Sequence, residues 1–155
     1  MPTASAWTGP VLELNRWFNA PVDRVFAAFT DAGLLRQWWG PRDFVIEEID
    51  FPAQVGERYR VSLRDPDGAR YEHVGVFTIV EPPTRLGYSW QWVAGPLQRQ
   101  EMLVELWFQA ERDGTRVELR QSRFVDEASR DAHAGWPHSF ERLAEWLAET
   151  GAAGA

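Results

Sequence analysis

Two histidines are the side chains of this 155-residue sequence whose type and position suit acid–base chemistry. His133 falls on the apolar face of a predicted amphipathic helix over residues 129–149, beside Trp136. His73 lies in a predicted strand, where it alternates in phase with Phe77. An imidazole changes charge near neutral pH, so either ring could act as a general acid or base. The alternative for both is a buried ring whose nitrogens form structural hydrogen bonds.

An amide and a pair of carboxylates complete the polar candidates. Gln121 alternates in phase with Leu119 on a predicted strand, so its side chain is expected to point inward. A buried amide needs partners, and a ligand, a water molecule or a neighbouring side chain can supply them. Glu101 and Glu105 share one strand face and could form an acid–base pair. Because the opposite face of that strand is apolar, we expect both carboxylates to be exposed.

The composition excludes several classes of function. The chain has no cysteine and no lysine, so disulfides, thiolate zinc sites, cysteine nucleophiles and Schiff bases are absent. The net charge of −7 and the lack of a basic run argue against nucleic acid as a partner. Three histidines without metal-ligand spacing, and no cofactor motif, predict neither a metal nor a cofactor. No apolar run spans a bilayer and no signal peptide is recognised, so we expect a cytoplasmic protein.

The order of the predicted elements indicates an α+β fold. A first strand over 11–18 precedes two short helices, about six further strands and the long helix of 129–149. One helix covers only part of such a sheet, which leaves room for a cleft lined by aromatic side chains. We interpret residues 1–155 as one domain with its core over 11–149. The ends, 1–9 and 151–155, are expected to fray.

Two adjacent tryptophans follow the second short helix. Asp31 is predicted to cap this helix and Gly40 to end it. Trp38 and Trp39 lie about 100° apart on a helix, so one apolar stripe cannot bury both. Trp38 is in phase with Leu35 and is expected to anchor the helix to the sheet. Trp39 is rotated away from that stripe and is expected to form a wall at the mouth of a cavity.

The long C-terminal helix contains a proline. Pro137 lacks a helical N–H, its ring clashes with the carbonyl of His133, and it disfavours helical geometry at Trp136. We therefore expect a kink or a new helix start near Gly135. His138 lies on the opposite, polar face of this helix and is expected to be solvated.

The order of several segments resembles a known superfamily. The segments are "RWFNAPVDRVFAAFTDAGLLRQWWGP", "VGERYR", "DPDG", "HVGVF", "EPPTRLGYSW", "DGTRVELRQ" and "GWPHSFERLAEWL". Their order is similar to that of the START-like (SRPBCC) helix-grip superfamily, in the branch named after the activator of the heat-shock protein ATPase. The resemblance covers about residues 11–149. It implies a curved antiparallel sheet of six to seven strands wrapped around a long C-terminal helix, with two short helices after the first strand and an apolar cavity inside.

The excess of tryptophan, the wrapped topology and the few inward polar groups predict binding of a small hydrophobic ligand, aromatic molecules included, in the cavity between sheet and helix. The resemblance itself is specific for the fold and not for the function. The resemblance implies that His73 lies on the inner face of the sheet. Two alternatives remain open. The first is an aromatase/cyclase- or hydrolase-like enzyme, in which His133 or His73 is the acid or base and Gln121 orients the substrate. The second is a co-chaperone-like module that acts on the heat-shock ATPase. We expect a monomer or homodimer, with Trp107 on the outer face as a candidate dimer contact. The residues expected to contact the ligand are Trp39, Phe44, Tyr59, His73, Phe77, Trp90, Trp92, Gln121, His133, Trp136 and Phe140.

Overall fold

The computed structural model describes residues 7–40, 43–94, 101–133 and 135–153. Within these residues the chain forms one antiparallel sheet of seven strands and four helices. None of these helices combines the length and the apolar composition that a membrane crossing requires. The elements are β1 (Leu12–Phe18), α1 (Val22–Thr30), α2 (Ala32–Leu35), β2 (Val45–Asp50), β3 (Arg58–Arg64), β4 (Arg70–Glu81), β5 (Arg85–Ala94), β6 (Met102–Glu111), β7 (Gly114–Ser122), α3 (Glu127–Ala132) and α4 (Trp136–Ala153).

Strands β2 to β7 form a meander, and β1 pairs with β7 at the edge of the sheet opposite β2. The strand order is β1-β7-β6-β5-β4-β3-β2, and every neighbouring pair is antiparallel. Register shifts interrupt the β2–β3 pair and the β4–β5 pair. Such irregularities bend a strand locally and increase its twist. The resulting curved sheet presents a concave face to the C-terminal helix, as the helix-grip resemblance implies.

The C-terminal helical region is interrupted just before Pro137, as the sequence predicts. α3 ends at Ala132 and α4 begins at Trp136, so the interruption contains Gly135. Pro137 thereby occupies the first turn of α4, where the N–H that proline lacks would have no helical partner. The expected outer bounds of this helical region, 129 and 149, are both too narrow. α3 begins at Glu127, where Asp126 accepts the Ser129 N–H, and α4 continues to Ala153.

The predicted frayed ends fall partly outside the described residues. Residues 1–6 and 154–155 lie there, whereas 151–153 belong to α4 rather than to a frayed tail. At the other end of the chain, the indole N–H of Trp7 donates to the carbonyl of Pro10 at 3.0 Å. Part of both expected tails is therefore structured.

α4 lies in the concavity of the sheet and is held there by apolar and polar contacts. Its buried face meets the sheet and α1, with the Phe140 ring 5.5 Å from Phe18 and 5.9 Å from Phe29. Arg24 of α1 donates to the carbonyl of Leu147 at 3.1 Å. A partly exposed ion pair, Arg16 to Glu141 at 2.9 Å, adds little stability in water. The buried side chains of α4 are Trp136, Ser139, Phe140, Leu143 and Leu147.

The second short helix is shorter than its sequence pattern predicts. Asp31 caps it by accepting the Leu34 N–H at 3.1 Å, as expected. The helix ends at Leu35 and not at Gly40. The Trp39 N–H nevertheless donates to the Leu35 carbonyl at 2.9 Å, so the turn that follows keeps helical spacing. Both tryptophans therefore lie in a hydrogen-bonded turn that continues from the end of α2.

Candidate ligand-binding site

A cavity of about 280 Å³, partly open to solvent, lies between the concave face of the sheet and the α3–α4 junction. Its volume is close to the lower end of the range typical of small-molecule sites, about 300–1,000 Å³. Four indole rings form much of its wall, and they come from three different parts of the fold. The lining residues are Trp39, Gly40, Phe44, Leu63, Tyr71, His73, Trp90, Trp92, Gln121, Ala132, His133, Gly135, Trp136 and Ser139.

The two adjacent tryptophans occupy different places. Trp38 is fully buried away from the cavity, with its ring 4.7 Å from Phe29 and its indole N–H donating to the Ala28 carbonyl at 3.0 Å. Trp39 is 4% exposed and lines the cavity, with its ring 5.8 Å from Trp90. Trp38 thus anchors the turn to α1, and Trp39 forms a wall.

α4 holds the turn that carries Trp39. The carbonyl of Gly40 accepts hydrogen bonds from Ser139 Oγ at 3.0 Å and from the Arg142 guanidinium at 3.2 Å. Gly40 has φ +97°, a conformation that favours glycine. The position of the Trp39 wall is therefore fixed jointly by a left-handed glycine and by two side chains of the opposing helix.

His73 is a buried ring on the cavity wall, 1% exposed. Its plane lies 7° from that of Trp90, with the centroids 3.9 Å apart. Its Nδ1 is 3.2 Å from the hydroxyl of Tyr59, which in turn lies 3.0 Å from the carbonyl of Ser89. Burial, with a contribution from nearby His133, lowers the pKa of His73 to about 3, so the ring is neutral at pH 7.

A glycine makes room for this hydrogen-bonded chain. Gly75 is paired with Tyr59 across the β3–β4 ladder. A Cβ at position 75 would overlap the Ser89 carbonyl and the Tyr59 ring. Absence of a side chain at Gly75 therefore permits the close approach of the Tyr59 ring to β5.

His133 is the C-cap residue of α3, and both of its ring nitrogens are engaged. Nδ1 lies 2.7 Å from the carbonyl of Ser129, which can only accept, so Nδ1 carries the proton. Nε2 then accepts the indole N–H of Trp92 at 2.6 Å. Burial lowers the pKa of His133, against the opposing effect of the bond to Ser129. The ring bridges α3 to β5 as a neutral structural group.

Gln121 points inward as predicted, and its partners are side chains of this chain. Its Oε1 accepts the indole N–H of Trp136 at 2.8 Å, and its Nε2 lies 3.4 Å from Met102 Sδ. The residue is completely buried. The amide thus fixes the orientation of one indole wall.

The other polar candidates lie away from the cavity lining. Glu105 is 3.9 Å from the Arg85 guanidinium, which also lies over the ring of Trp107 on the outer sheet face. Glu101 is exposed, and so is His138 on α4. No group of three or more metal-ligating side chains occurs in the described part of the chain.

Eight of the eleven residues expected to contact a ligand line the cavity, and three do not. Phe77 and Tyr59 pack deeper along the sheet, with their rings 4.8 and 5.1 Å from Phe51. Phe140 packs between α4, α1 and β1. The expectation that these three rings line the cavity is corrected, because alternation predicts the inner face of an element but not the depth along it.

Six of the lining residues were not predicted from the sequence. Leu63 and Tyr71 are paired across the β3–β4 hairpin, so their shared inner face was a usable signal. Ser139 follows the polar residue His138 and gave no such signal. The complete set missed is Gly40, Leu63, Tyr71, Ala132, Gly135 and Ser139.

A curved antiparallel sheet that grips a C-terminal helix beside an aromatic-lined cavity defines a START-like helix-grip protein. Residues 19–148 match the model of the Activator of Hsp90 ATPase homolog 1-like protein family. The chain belongs to this family.

Solved structures agree with this assignment. The AHSA1 protein from Silicibacter pomeroyi has 29% sequence identity and a TM-score of 0.80, over 91% of this chain and 99% of that chain. A protein from Rhodobacter sphaeroides has 26% identity and a TM-score of 0.78, over 96% and 97% of the two chains. A protein from Chromobacterium violaceum has 24% identity and a TM-score of 0.80, over 88% and 96%, and shows the fold alone. The comparison with curated proteins found no match.

Proposed function

We propose that the protein binds a small hydrophobic molecule with an aromatic ring in this cavity. The observation that carries the proposal is the wall formed by Trp39, Trp90, Trp92 and Trp136 around about 280 Å³ of space. An apolar cavity of roughly 150 Å³ accommodates benzene, so this one has room for a fused pair of rings, and its open side leaves space for a further ring as a substituent.

The energetics of the wall favour a flat apolar ligand. Burial of apolar surface stabilises a complex by about 25 cal/mol per Å². Aromatic rings add edge-to-face contacts worth about 0.5–1.5 kcal/mol each. The Trp39 and Trp90 rings already meet edge to face, at an interplanar angle of 88°, and so present differently oriented surfaces to the cavity.

The hydrogen bonding of the wall supports binding over acid–base catalysis. His133 uses both nitrogens within the protein, and Gln121 accepts from Trp136. The low pKa of His73 makes it a weak base at neutral pH, because its protonated form is strongly disfavoured by burial. The enzyme alternative would need one of these groups to take up a proton readily.

Native mass spectrometry of freshly purified protein is the direct test, and a co-purified small molecule is the expected result. Fluorescence titration with the neutral dye N-phenyl-1-naphthylamine provides the quantitative test. Trp39→Ala should weaken dye binding at least about tenfold through the lost wall contacts. Trp107→Ala, on the outer face, is the matched control and should bind the dye as the unmodified protein does. Dye binding that is absent, or unaffected by Trp39→Ala, would contradict the proposal.

A further inference from the structure

The geometry points to a ligand that is electrically neutral and carries a hydroxyl group donating a hydrogen bond to Nε2 of His73. This inference rests on the proposed function and specifies the class of molecule that the cavity takes. It follows from three observations: the tautomer of His73, its place on the wall, and the charge of the lining.

The hydrogen bonds around His73 determine its tautomer. The carbonyl of Ser89 can only accept, so the Tyr59 hydroxyl gives its single proton to it at 3.0 Å. The Tyr59 oxygen then accepts from His73 at 3.2 Å, which requires the proton of His73 to sit on Nδ1. Nε2 of the neutral ring is consequently an acceptor.

This acceptor has no partner within the described residues. The side-chain hydrogen bond of His73 to a described residue goes through Nδ1, although the ring is 1% exposed and lines the cavity. The indole N–H of the parallel Trp90 ring also lacks a partner among these residues, but it is completely buried. A ligand that filled the cavity would leave Nε2 of His73 buried without a partner, at a cost of about 1–3 kcal/mol, unless the ligand donated a hydrogen bond to it. A hydroxyl group supplies that donor.

The other polar groups of the wall are already engaged. Gln121 and His133 are paired with the indole N–H groups of Trp136 and Trp92. A ligand that bonded to the imidazole of His133 would have to displace an internal hydrogen bond. The amide of Gln121 is completely buried. His73 therefore marks the place where the polar end of the ligand lies, and the indole rings accommodate the apolar remainder.

The lining also selects against charge. None of the described residues that line the cavity carries a formal charge when both histidines are neutral. A carboxylate or an ammonium group would lose its hydration without gaining a counter-charge. The acceptor Nε2 would in addition repel a carboxylate. A neutral alcohol or phenol meets neither penalty.

Displacement of N-phenyl-1-naphthylamine by a matched ligand series tests the inference. The series is 2-naphthol, naphthalene, 2-methoxynaphthalene and 2-naphthoate, which keep one ring system and change only the substituent. We expect 2-naphthol to bind about tenfold more tightly than naphthalene and its methyl ether, the effect of one hydrogen bond to a buried acceptor. The anion 2-naphthoate should bind most weakly.

Two variants connect this selectivity to His73. His73→Phe keeps a ring of similar size and should abolish the preference for 2-naphthol while retaining naphthalene binding. Tyr59→Phe leaves His73 in place but removes the group that holds its proton on Nδ1. We expect it to reduce the preference as well, which a role limited to packing would not produce. His138→Phe, at an exposed position on α4, is the control and should leave the preference unchanged.

The outcomes separate the two proposals. Failure of the dye to bind overturns the proposed function. Dye binding with equal affinity for 2-naphthol and its methyl ether overturns the inference alone, as does a preference that survives His73→Phe. If His73→Phe does not fold, Tyr59→Phe and the ligand series on the unmodified protein decide the question.

Discussion

The imidazole of His73 lies face to face with the indole of Trp90, with the ring centroids 3.9 Å apart. The edge of a third ring, Trp39, closes on the same imidazole at 5.3 Å and an interplanar angle of 85°. These contacts, together with the bond to Tyr59, leave the imidazole no free rotation. The acceptor that it presents to the cavity is therefore fixed in direction before any ligand arrives, which lowers the entropic cost of binding.

Protonation of His73 is predicted to destabilise the fold in acid. Its pKa is lowered from 6.5 to about 3 by burial, so the unfolded chain binds a proton more readily than the folded one. Stability present above pH 6.5 is then lost progressively as the pH falls towards 3. The loss should reach a few kcal/mol. Chemical denaturation at several pH values should show a shallower acid dependence for His73→Phe, and an unchanged dependence would contradict the assignment.

Truncation of the two adjacent tryptophans should have different effects. Trp38→Ala removes a fully buried ring and its bond to the Ala28 carbonyl, and is expected to cost about 3–5 kcal/mol. Trp39→Ala should cost less, because one side of this ring already borders the cavity. Urea unfolding of both variants measures the difference. Equal losses of stability would mean that Trp39 acts as ordinary core.

The pair Gln121 and Trp136 lends itself to a double-mutant cycle. Gln121→Leu leaves the indole N–H of Trp136 buried without its acceptor and should cost about 1–3 kcal/mol. Adding Trp136→Phe removes the donor, so the double variant should lose less than the sum of the two single changes. Strictly additive losses in denaturant unfolding would show that the bond contributes nothing.

His133 is predicted to be a structural histidine. His133→Ala removes the bridge between the Ser129 carbonyl and the Trp92 indole, and should destabilise the protein by about 1–3 kcal/mol. His138→Ala, at an exposed histidine in the first turn of α4, is the comparison and should leave the unfolding free energy within about 0.5 kcal/mol. If both variants are as stable as the unmodified protein, the structural role of His133 is contradicted.

The backbone restrictions of single residues, and the spacing of neighbouring ones, gave the most accurate predictions from the sequence. The break before α4 follows from the missing N–H of Pro137, whatever packs around it. The separation of Trp38 and Trp39 was also predictable, although α2 ends early. The Trp39 N–H still donates to the Leu35 carbonyl beyond the end of α2, and the two rings pack in different places, Trp38 against Phe29 and Trp39 on the cavity wall.

The sequence did not predict how far from the cavity a residue on the inner face of the sheet lies. Alternation identified the inner faces that carry Tyr59 and Phe77, but their burial against Phe51 depends on how strongly the sheet curves. The partners of Gln121 and His133 were likewise hidden. Trp136 and Trp92 approach them only through packing of separate elements, and no spacing in the sequence encodes those distances.

The indole wall described above has an optical consequence. Trp90 lies 5.8 Å from Trp39, 5.9 Å from Trp136 and 5.5 Å from Trp92, measured between ring centroids. Chromophores this close couple their electronic transitions, and the sign and size of the coupling depend on their mutual angles. The near-ultraviolet circular dichroism of this protein should therefore depend on the mutual arrangement of the indole rings that line its cavity. A shift of any one of these rings would alter that spectrum even where the backbone signal in the far ultraviolet stayed constant.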